Sequence, residues 1–258
     1  MVLTIITICR NNPLELLRTL KSISLQNIQK FEYECLIIDG SNNCECRNVV
    51  DSFDDLKIVY IKQKSIGIYG AMNEALDLVS GVSIVFMNSG DEFYHEFSVE
   101  NMLDKYQFFL DTHIVYGNAI KYYEDIEIVH AKGINDKLIS DYIPSHQAVF
   151  VPSSYHGINK FDENKSVSSD TEVLIKCFKS LPNIHINEIV CRFELGGIST
   201  RPTSLYKTIS HCNEIINTRG NFSLLGIVNL YFKQISKLVI IRAIGYRGYL
   251  KLVLKKQG

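Results

Sequence analysis

From Ile215 to Gly258 the chain has no aspartate or glutamate, although it has eight lysines and arginines there. The net charge of −1 therefore hides a split, because the preceding residues carry 19 basic and 28 acidic groups, a net of −9. A body of that sign repels polyanions and excludes nucleic acid as a partner, whereas the tail is attracted to an anionic surface. No uninterrupted apolar run of about 18 residues occurs, so no membrane-spanning helix is expected. The start, MVLTIITICRNN, lacks the basic segment, longer apolar run and cleavage site of a signal peptide, which predicts a cytoplasmic chain. Seven cysteines is an odd number, and Cys44-x-Cys46 has neither zinc-ribbon nor thioredoxin spacing; they read as thiols in a reducing compartment. A Gly-Lys-Ser/Thr phosphate loop is missing, and so is a clean G-x-G-x-x-G after the first apolar run, which argues against Walker-type and nicotinamide enzymes. What is present is 258 residues, 46% of them hydrophobic and 21% charged, enough for a sizeable core and too apolar for bulk disorder.

Short apolar runs alternate with helical periodicity through the first third. Val2–Ile8 reads as a buried strand. Asn12 and Pro13 open a helix that carries Leu14, Leu17, Leu20 and Ile23 to about Leu25. Tyr33–Ile38, Lys57–Ile61 and Val82–Met87 read as further strands. A short helix around Val49 and Phe53 and a longer one over Gly67–Ser80, with Gly81 as C-cap, separate them. This alternation predicts an α/β fold with a mostly parallel sheet covered by helices, and ligands at the carboxyl ends of its strands. Those ends are Thr7–Asn11, Asp39–Asn43, Lys62–Gly67 and Asn88–Asp91. Beyond Asp91 the pattern changes to a hairpin, His113–Ile120 with Ile126–Ala131, strands at Gln147–Val151 and His185–Phe193, and a helix near Asp170–Lys179.

Several short segments have the residue types for chemistry. Asp91 in Asn88-Ser89-Gly90-Asp91-Glu92 is a carboxylate at a strand end, suited to a hard cation and through it to diphosphate, although an Asp-containing turn with Gly90 as its turn residue would look the same locally. Asp39 is acceptor-only when ionised and suits a nucleobase or ribose. Gly67-Ile68-Tyr69-Gly70-Ala71-Met72-Asn73 opens a helix whose N-terminus favours phosphate. His146 and Gln147 precede a strand. Asp170 in Ser168-Ser169-Asp170-Thr171-Glu172 serves equally as a helix-start acid or as a base facing the crevice.

Taken in order, IITICRNN at Ile5–Asn12, LIIDGSNN at Leu36–Asn43, GIYGAMNEAL at Gly67–Leu76, FMNSGDEF at Phe86–Phe93, SHQAVF at Ser145–Phe150, SSDTEVLIKCF at Ser168–Phe178 and GGIST at Gly196–Thr200 resemble the inverting glycosyltransferases of glycosyltransferase family 2. The likeness is greatest to the members that build bacterial O-antigens, capsules and exopolysaccharides. It covers about residues 1–200. It implies a GT-A, Rossmann-like catalytic domain over 1–205, with a nucleotide-sugar-binding half (1–92) and an acceptor-side half (93–205). By position, Asp170 matches the catalytic base and Asp91 the last acid of the metal motif, which would hold Mn or Mg. Thr7 and Asp39 match nucleoside contacts. Cys9, Arg10, Asn11, Gly67, Tyr69, Asn73, Asn88, Ser89 and Gly90 join the donor-binding set, and His146 and Gln147 line the donor or acceptor pocket. Asn88 stands where many members have a first Asp, Gly70 where an Asp is common and Ile66 where a Lys is common. The implied donor is a UDP-sugar and the implied acceptor a polyprenyl-diphosphate-linked saccharide.

The tail, 206–258, places Phe222, Leu224, Leu225, Val228, Tyr231, Phe232, Ile235, Leu238 and Val239 at near-helical spacing, interleaved with Lys233, Lys237, Arg242, Arg247, Lys251, Lys255 and Lys256. Such a basic amphipathic helix suits the inner face of the plasma membrane, and a homodimer contact is the other use of the same face. Two rival readings stay open: a non-catalytic nucleotide-sugar or carbohydrate-binding module, and a nucleotidyltransferase. The second is weakened by CRNNPLE, which supplies only Arg10 and no glycine where a basic Gly-rich loop belongs.

Overall fold

The computed structural model describes residues 2–130, 143–197, 201–220 and 222–255. The elements are β1 (Leu3–Cys9), α1 (Pro13–Ser24), β2 (Tyr33–Asp39), α2 (Glu45–Val50), β3 (Ile58–Lys62), α3 (Gly67–Leu76), β4 (Ser83–Phe86), β5 (Glu92–Phe93), α4 (Ser98–Tyr106), β6 (Ile114–Tyr123), β7 (Ile126–His130), β8 (Val149–Pro152), α5 (Ser153–Ile158), α6 (Ser169–Ser180), β9 (Asn183–Glu194), α7 (Leu205–Arg219) and α8 (Leu224–Lys255). They build one mixed sheet in the order β3-β2-β1-β4-β8-β6-β9-β5, with β7 added to β6. The β3-β2-β1-β4 half is parallel, and β8 joins it antiparallel to β4.

Every residue of β1 and β2 is buried because both sheet faces are covered. Side chains alternate between two cores. Leu3, Ile5 and Cys9 of β1 face α1, α2 and α4, while Ile6 and Ile8 face α3 and α6. The strand order reverses between β2 and β4, which flank β1 on opposite sides, so a crevice opens at the carboxyl ends of β1 and β4.

The sequence reading holds for most elements and fails in particular places. Asn12 caps α1 as expected, its side chain accepting from Glu15 N at 3.3 Å. Helix α3 stops at Leu76, short of Ser80, and Gly81 is not its cap. Gly81 instead lies against β1, where an added Cβ would sit 2.6 Å from Thr4 N. β5 and α5, two and six residues long, are too short to stand out in sequence, α4 is an addition to the expected elements, and α7 lies at the start of the tail, 206–258, expected to be helical. Ala131, Ile198–Thr200, Asn221 and Lys256 fall outside the described residues.

The expectation about apolar length also needs correction. Charges at Lys233, Lys237 and Arg242 interrupt every run, but Leu224–Leu254 has a window of mean hydropathy 1.5 with only 11% of it buried, and is long and apolar enough to cross a membrane. α8 is broken at Gly245, whose φ of 75° is open to glycine at little cost. On either side of the break Ile241, Tyr246 and Leu250 pack on Ile126 and Leu195 of the body. Leu224, Leu225, Val228, Phe232 and Val239 stay exposed.

Candidate active site

The crevice is a cleft of about 1500 Å³. Cys9, Arg10, Gly67, Tyr69, Asn88, Ser89, His146 and Asp170 line it, joined by Glu15, Gln63, Ser166 and Val167, which sequence did not single out, and by Asn12 and Met72, which it read as a helix cap and as part of the opening of α3. A neighbouring cavity of about 830 Å³ shares Glu15, Ser89 and Gly197 with it and is lined by Gly90, Asp91, Arg18 and Arg201. The two motif acids therefore stand in adjoining spaces, Asp170 in the first and Asp91 in the second.

Two consecutive residues connect them. His146 Nδ1 lies 3.1 Å from Asp170 Oδ2, and Gln147 Nε2 donates to Asp91 Oδ2 at 3.0 Å. His146 Nε2 also lies 3.4 Å from Asn88 Nδ2, so the turn after β4 and the start of α6 share one histidine. Tyr69 completes the surroundings of Asp170: its hydroxyl donates to Asp170 Oδ1 at 3.2 Å and accepts from Ser169 N at 3.2 Å. Burial works to raise the Asp170 carboxyl, but His146, the Thr171 backbone N–H and Tyr69 together outweigh it and hold it below the usual carboxylate range. Burial likewise works to lower His146, and the Asp170 and Asp91 carboxylates outweigh it and lift it above the usual imidazole range. The pair is thus an ionised carboxylate beside an imidazole biased toward its charged form. The Asp170 side chain is 25% exposed, so an incoming hydroxyl can still reach it.

Asp91 is in a different state. Burial pushes its carboxyl up to about 6, only partly offset by His146 and Gln147. Beside it, Asn88 Oδ1 and Ser89 Oγ are buried and have no hydrogen-bond partner among the described residues. Three oxygen donors, two without such partners and one a carboxylate held uneasily, fit a hard divalent cation.

The turn that presents these oxygens is held from α1. The Thr19 hydroxyl, fully buried, accepts from Gly90 N at 2.9 Å and lies 2.8 Å from the Asp91 carbonyl, to which it donates. Thr19 sits on the buried face of a helix, where nothing in sequence separates it from a packing residue. Thr19→Val keeps the shape and leaves both backbone groups unpaired, so it should cost about 1–3 kcal/mol of stability. Urea unfolding of the variant measures this, and an unchanged midpoint would remove Thr19 from this role.

Other expected residues take places beneath the cleft. Thr7 is buried and donates to the Met87 carbonyl at 2.8 Å, tying β1 to β4. Asn73 is held by Phe161 and Glu163: its Nδ2 donates to the Phe161 carbonyl and to Glu163 Oε1, and its Oδ1 accepts from Phe161 N. Asp39 is fully buried at the end of β2, accepting from Ser41 N and Tyr60 OH, each at 2.7 Å. Burial favours its neutral form, yet those hydrogen bonds and Lys62 outweigh it and keep it ionised. Asn11, in a left-handed conformation, links the first loop to the second: its N donates to Ser41 Oγ and its Oδ1 accepts from Asn42 N. All seven cysteines are free thiols and only Cys44 is exposed. Glu92, unassigned from sequence, accepts weakly from Tyr122 OH at 3.4 Å.

Comparison with known proteins identifies the family and the fold. The family model described as Glycosyl transferase family 2 matches residues 4–179. A PGL/p-HBAD biosynthesis glycosyltransferase of Mycobacterium bovis (strain BCG / Pasteur 1173P2) is 24% identical over 179 residues, covering 65% of this chain and 68% of that protein. Among solved structures, S. aureus TarS 1–349 in complex with UDP-GlcNAc superposes with a TM-score of 0.63 at 13% identity, over 95% of this chain and 75% of that one. Mannosyltransferase PcManGT from Pyrobaculum calidifontis in complex with GDP-Man and Mn2+ gives a TM-score of 0.63 at 14% identity, over 99% of this chain and 79% of that one. At those identities the two structures speak for the fold alone, a GT-A arrangement.

Proposed function

The chain belongs to glycosyl transferase family 2, and on that basis we propose that it is an inverting, metal-dependent transferase that moves one hexosyl or N-acetylhexosaminyl group from a UDP-sugar to a lipid-linked saccharide in bacterial surface polysaccharide synthesis. The observation that carries this reading is the His146–Gln147 pair, which touches Asp170 with one side chain and Asp91 with the next. On this reading the two neighbouring side chains fix the base and the metal acid relative to each other.

Arg10, Gly67, Asn88 and Ser89 on the cleft wall would receive the donor, with Cys9 and Asn11 at the base of that loop and Asp39, Thr7 and Asn73 fixing the strand and helix ends from below. Asp91, Asn88 Oδ1 and Ser89 Oγ would hold Mn or Mg, which when bound neutralises charge on the diphosphate. Asp170 takes the proton of the acceptor hydroxyl as its oxygen attacks the anomeric carbon, and the bond to the diphosphate breaks with both electrons leaving on the nucleotide. Tyr69 and His146 orient the carboxylate and keep it ionised until that moment.

A thermal-shift screen of UDP-, GDP- and dTDP-sugars with and without Mn tests the donor assignment, because a ligand of the folded state raises its melting temperature. A metal-dependent shift with UDP-sugars alone is expected. Stabilisation by a sugar nucleotide with neither transfer nor hydrolysis would instead favour the non-catalytic binding module.

Membrane association of the tail is supported by the exposed apolar side chains at Leu224, Leu225, Val228, Phe232 and Val239 beside exposed Lys233 and Arg242. It suits an enzyme peripheral to the cytoplasmic face, where a polyprenyl-linked acceptor is presented. Removing Asn221–Gly258 should shift the protein from the membrane fraction to the soluble one. Unchanged fractionation would leave the same face to a homodimer, which the sedimentation of the intact chain would reveal.

A further inference from the structure

Glu214 lies in α7, forty-four residues beyond Asp170 and past the reach of the family match. Its carboxylate turns toward the segment Lys165–Ser168 that leads into α6. It accepts from Val167 N at 3.0 Å, from Ser166 N at 3.3 Å and from Ser168 Oγ at 3.1 Å, and the Ser166 hydroxyl donates to it as well. This answers where the backbone donors of that segment go: Ser166 and Val167 are in neither helix nor strand, and one side chain satisfies both. Ser168 occupies the N-cap position of α6 but makes no side-chain capping bond there. Its hydroxyl is drawn away to Glu214 and to Thr218 Oγ1, at 3.2 Å. Thr218, one helical turn on, also accepts from Lys165 Nζ at 2.9 Å, and Lys165 pairs with Glu172 inside α6.

The tail helix thus fixes the entry of α6 on both sides of its first turn. Asp170 is the second residue of α6, and Ser166 and Val167 form the cleft wall next to it. A helix entry that is pinned by a charged acceptor cannot rotate or slide without breaking several charge-assisted bonds together. Resting on the reading of Asp170 as the base, we infer that Glu214 is a positioning residue for it: α7 sets where the Asp170 carboxylate stands relative to the incoming hydroxyl.

The test uses the full chain and the donor identified by the screen. Glu214→Ala frees the loop and should lower kcat about 10- to 100-fold, since a displacement near 1 Å at a reacting group costs on that order. Donor affinity should stay within twofold, because the hydrogen bonds of Glu214 go to the α6 entry and not to the β1–β4 side of the cleft. Glu214→Gln keeps one oxygen for the two backbone donors and can donate to Ser168 Oγ, so it should restore most of the turnover. The double variant Glu214→Ala with Asp170→Asn should be no slower than Asp170→Asn alone, because both changes remove the same contribution. Thr218→Val, a milder change in the same cluster, should lower kcat about threefold or more and covers the case in which Glu214→Ala does not fold. Wild-type kcat in Glu214→Ala, or in Thr218→Val where Glu214→Ala does not fold, overturns the inference, as do losses that multiply in the double variant. With Asp170→Asn inactive, such results leave the base assignment standing. Full turnover in Asp170→Asn removes both.

Discussion

Asp170→Asn should lower kcat by about 10²–10⁴-fold, the usual worth of a positioned general base, and leave donor affinity near that of the parent. The substitution is isosteric. The introduced amide keeps one oxygen to accept from His146 but loses the second acceptor, so the Tyr69 hydroxyl loses its acceptor and keeps only the bond from Ser169 N, and no group remains to take the hydroxyl proton. The Asp170 carboxyl is held low by His146, the Thr171 backbone N–H and Tyr69, so the parent enzyme should stay active well into mildly acid solution before the base protonates. Removing the carboxylate also removes a group that lifts His146, whose titration should move down in the variant. Wild-type turnover in purified Asp170→Asn would refute the assignment. A His146 titration that stays in place, followed by NMR, would show that the pair is not coupled as described.

Asp91→Asn should have opposite effects on stability and on binding. The Asp91 carboxyl sits at about 6 in the folded chain because it is buried, against an ordinary value of 3.8. The folded state therefore holds this proton more tightly than the unfolded state does. Stability from this group is fully present below pH 4, is lost as pH rises toward 6 and is absent above it, a difference of about 3 kcal/mol. An amide carries no charge to desolvate and can still accept from Gln147. The metal-free variant should thus melt higher than the parent at pH 7, and the gap should close by pH 4. Donor binding should lose its response to Mn. In the parent, Mn-dependent donor affinity should fall below about pH 6, where the cation competes with a proton for Asp91. Equal melting temperatures at pH 7 would show that burial does not raise the Asp91 carboxyl, and an unchanged Mn response in Asp91→Asn would remove Asp91 from the metal site. A trade of this kind is expected where function requires a charge in a place that stability alone would not choose.

The strands and helices of the first half were legible in the sequence, because β1, β2 and β4 are buried on both faces and so read as continuous apolar runs, and because α1 has an Asn-Pro start and α3 an apolar face at helical spacing. The polar segments at the strand ends were legible as well, since period and turn residues are local properties. Local sequence left Asp91 open to a turn and Asp170 to a helix-start acid, and only the order of the motifs along the chain, through the family resemblance, implied a role for each. The amphipathic tail could be read, although counting uninterrupted runs understated its apolar length. How those segments meet is a tertiary property. Asp91 and Asp170 are linked by His146 and Gln147, which belong to a third segment, and their carboxyls are driven in opposite directions by burial and by partners that no window of sequence contains. Thr7 and Asn73, alike in sequence to cleft residues, lie under the cleft because their hydrogen bonds are satisfied by Met87, Phe161 and Glu163. Thr19 and Glu214 were invisible because each acts on backbone groups far along the chain, and a hydrogen bond to a backbone N–H leaves no mark on the identity of the residue that donates it.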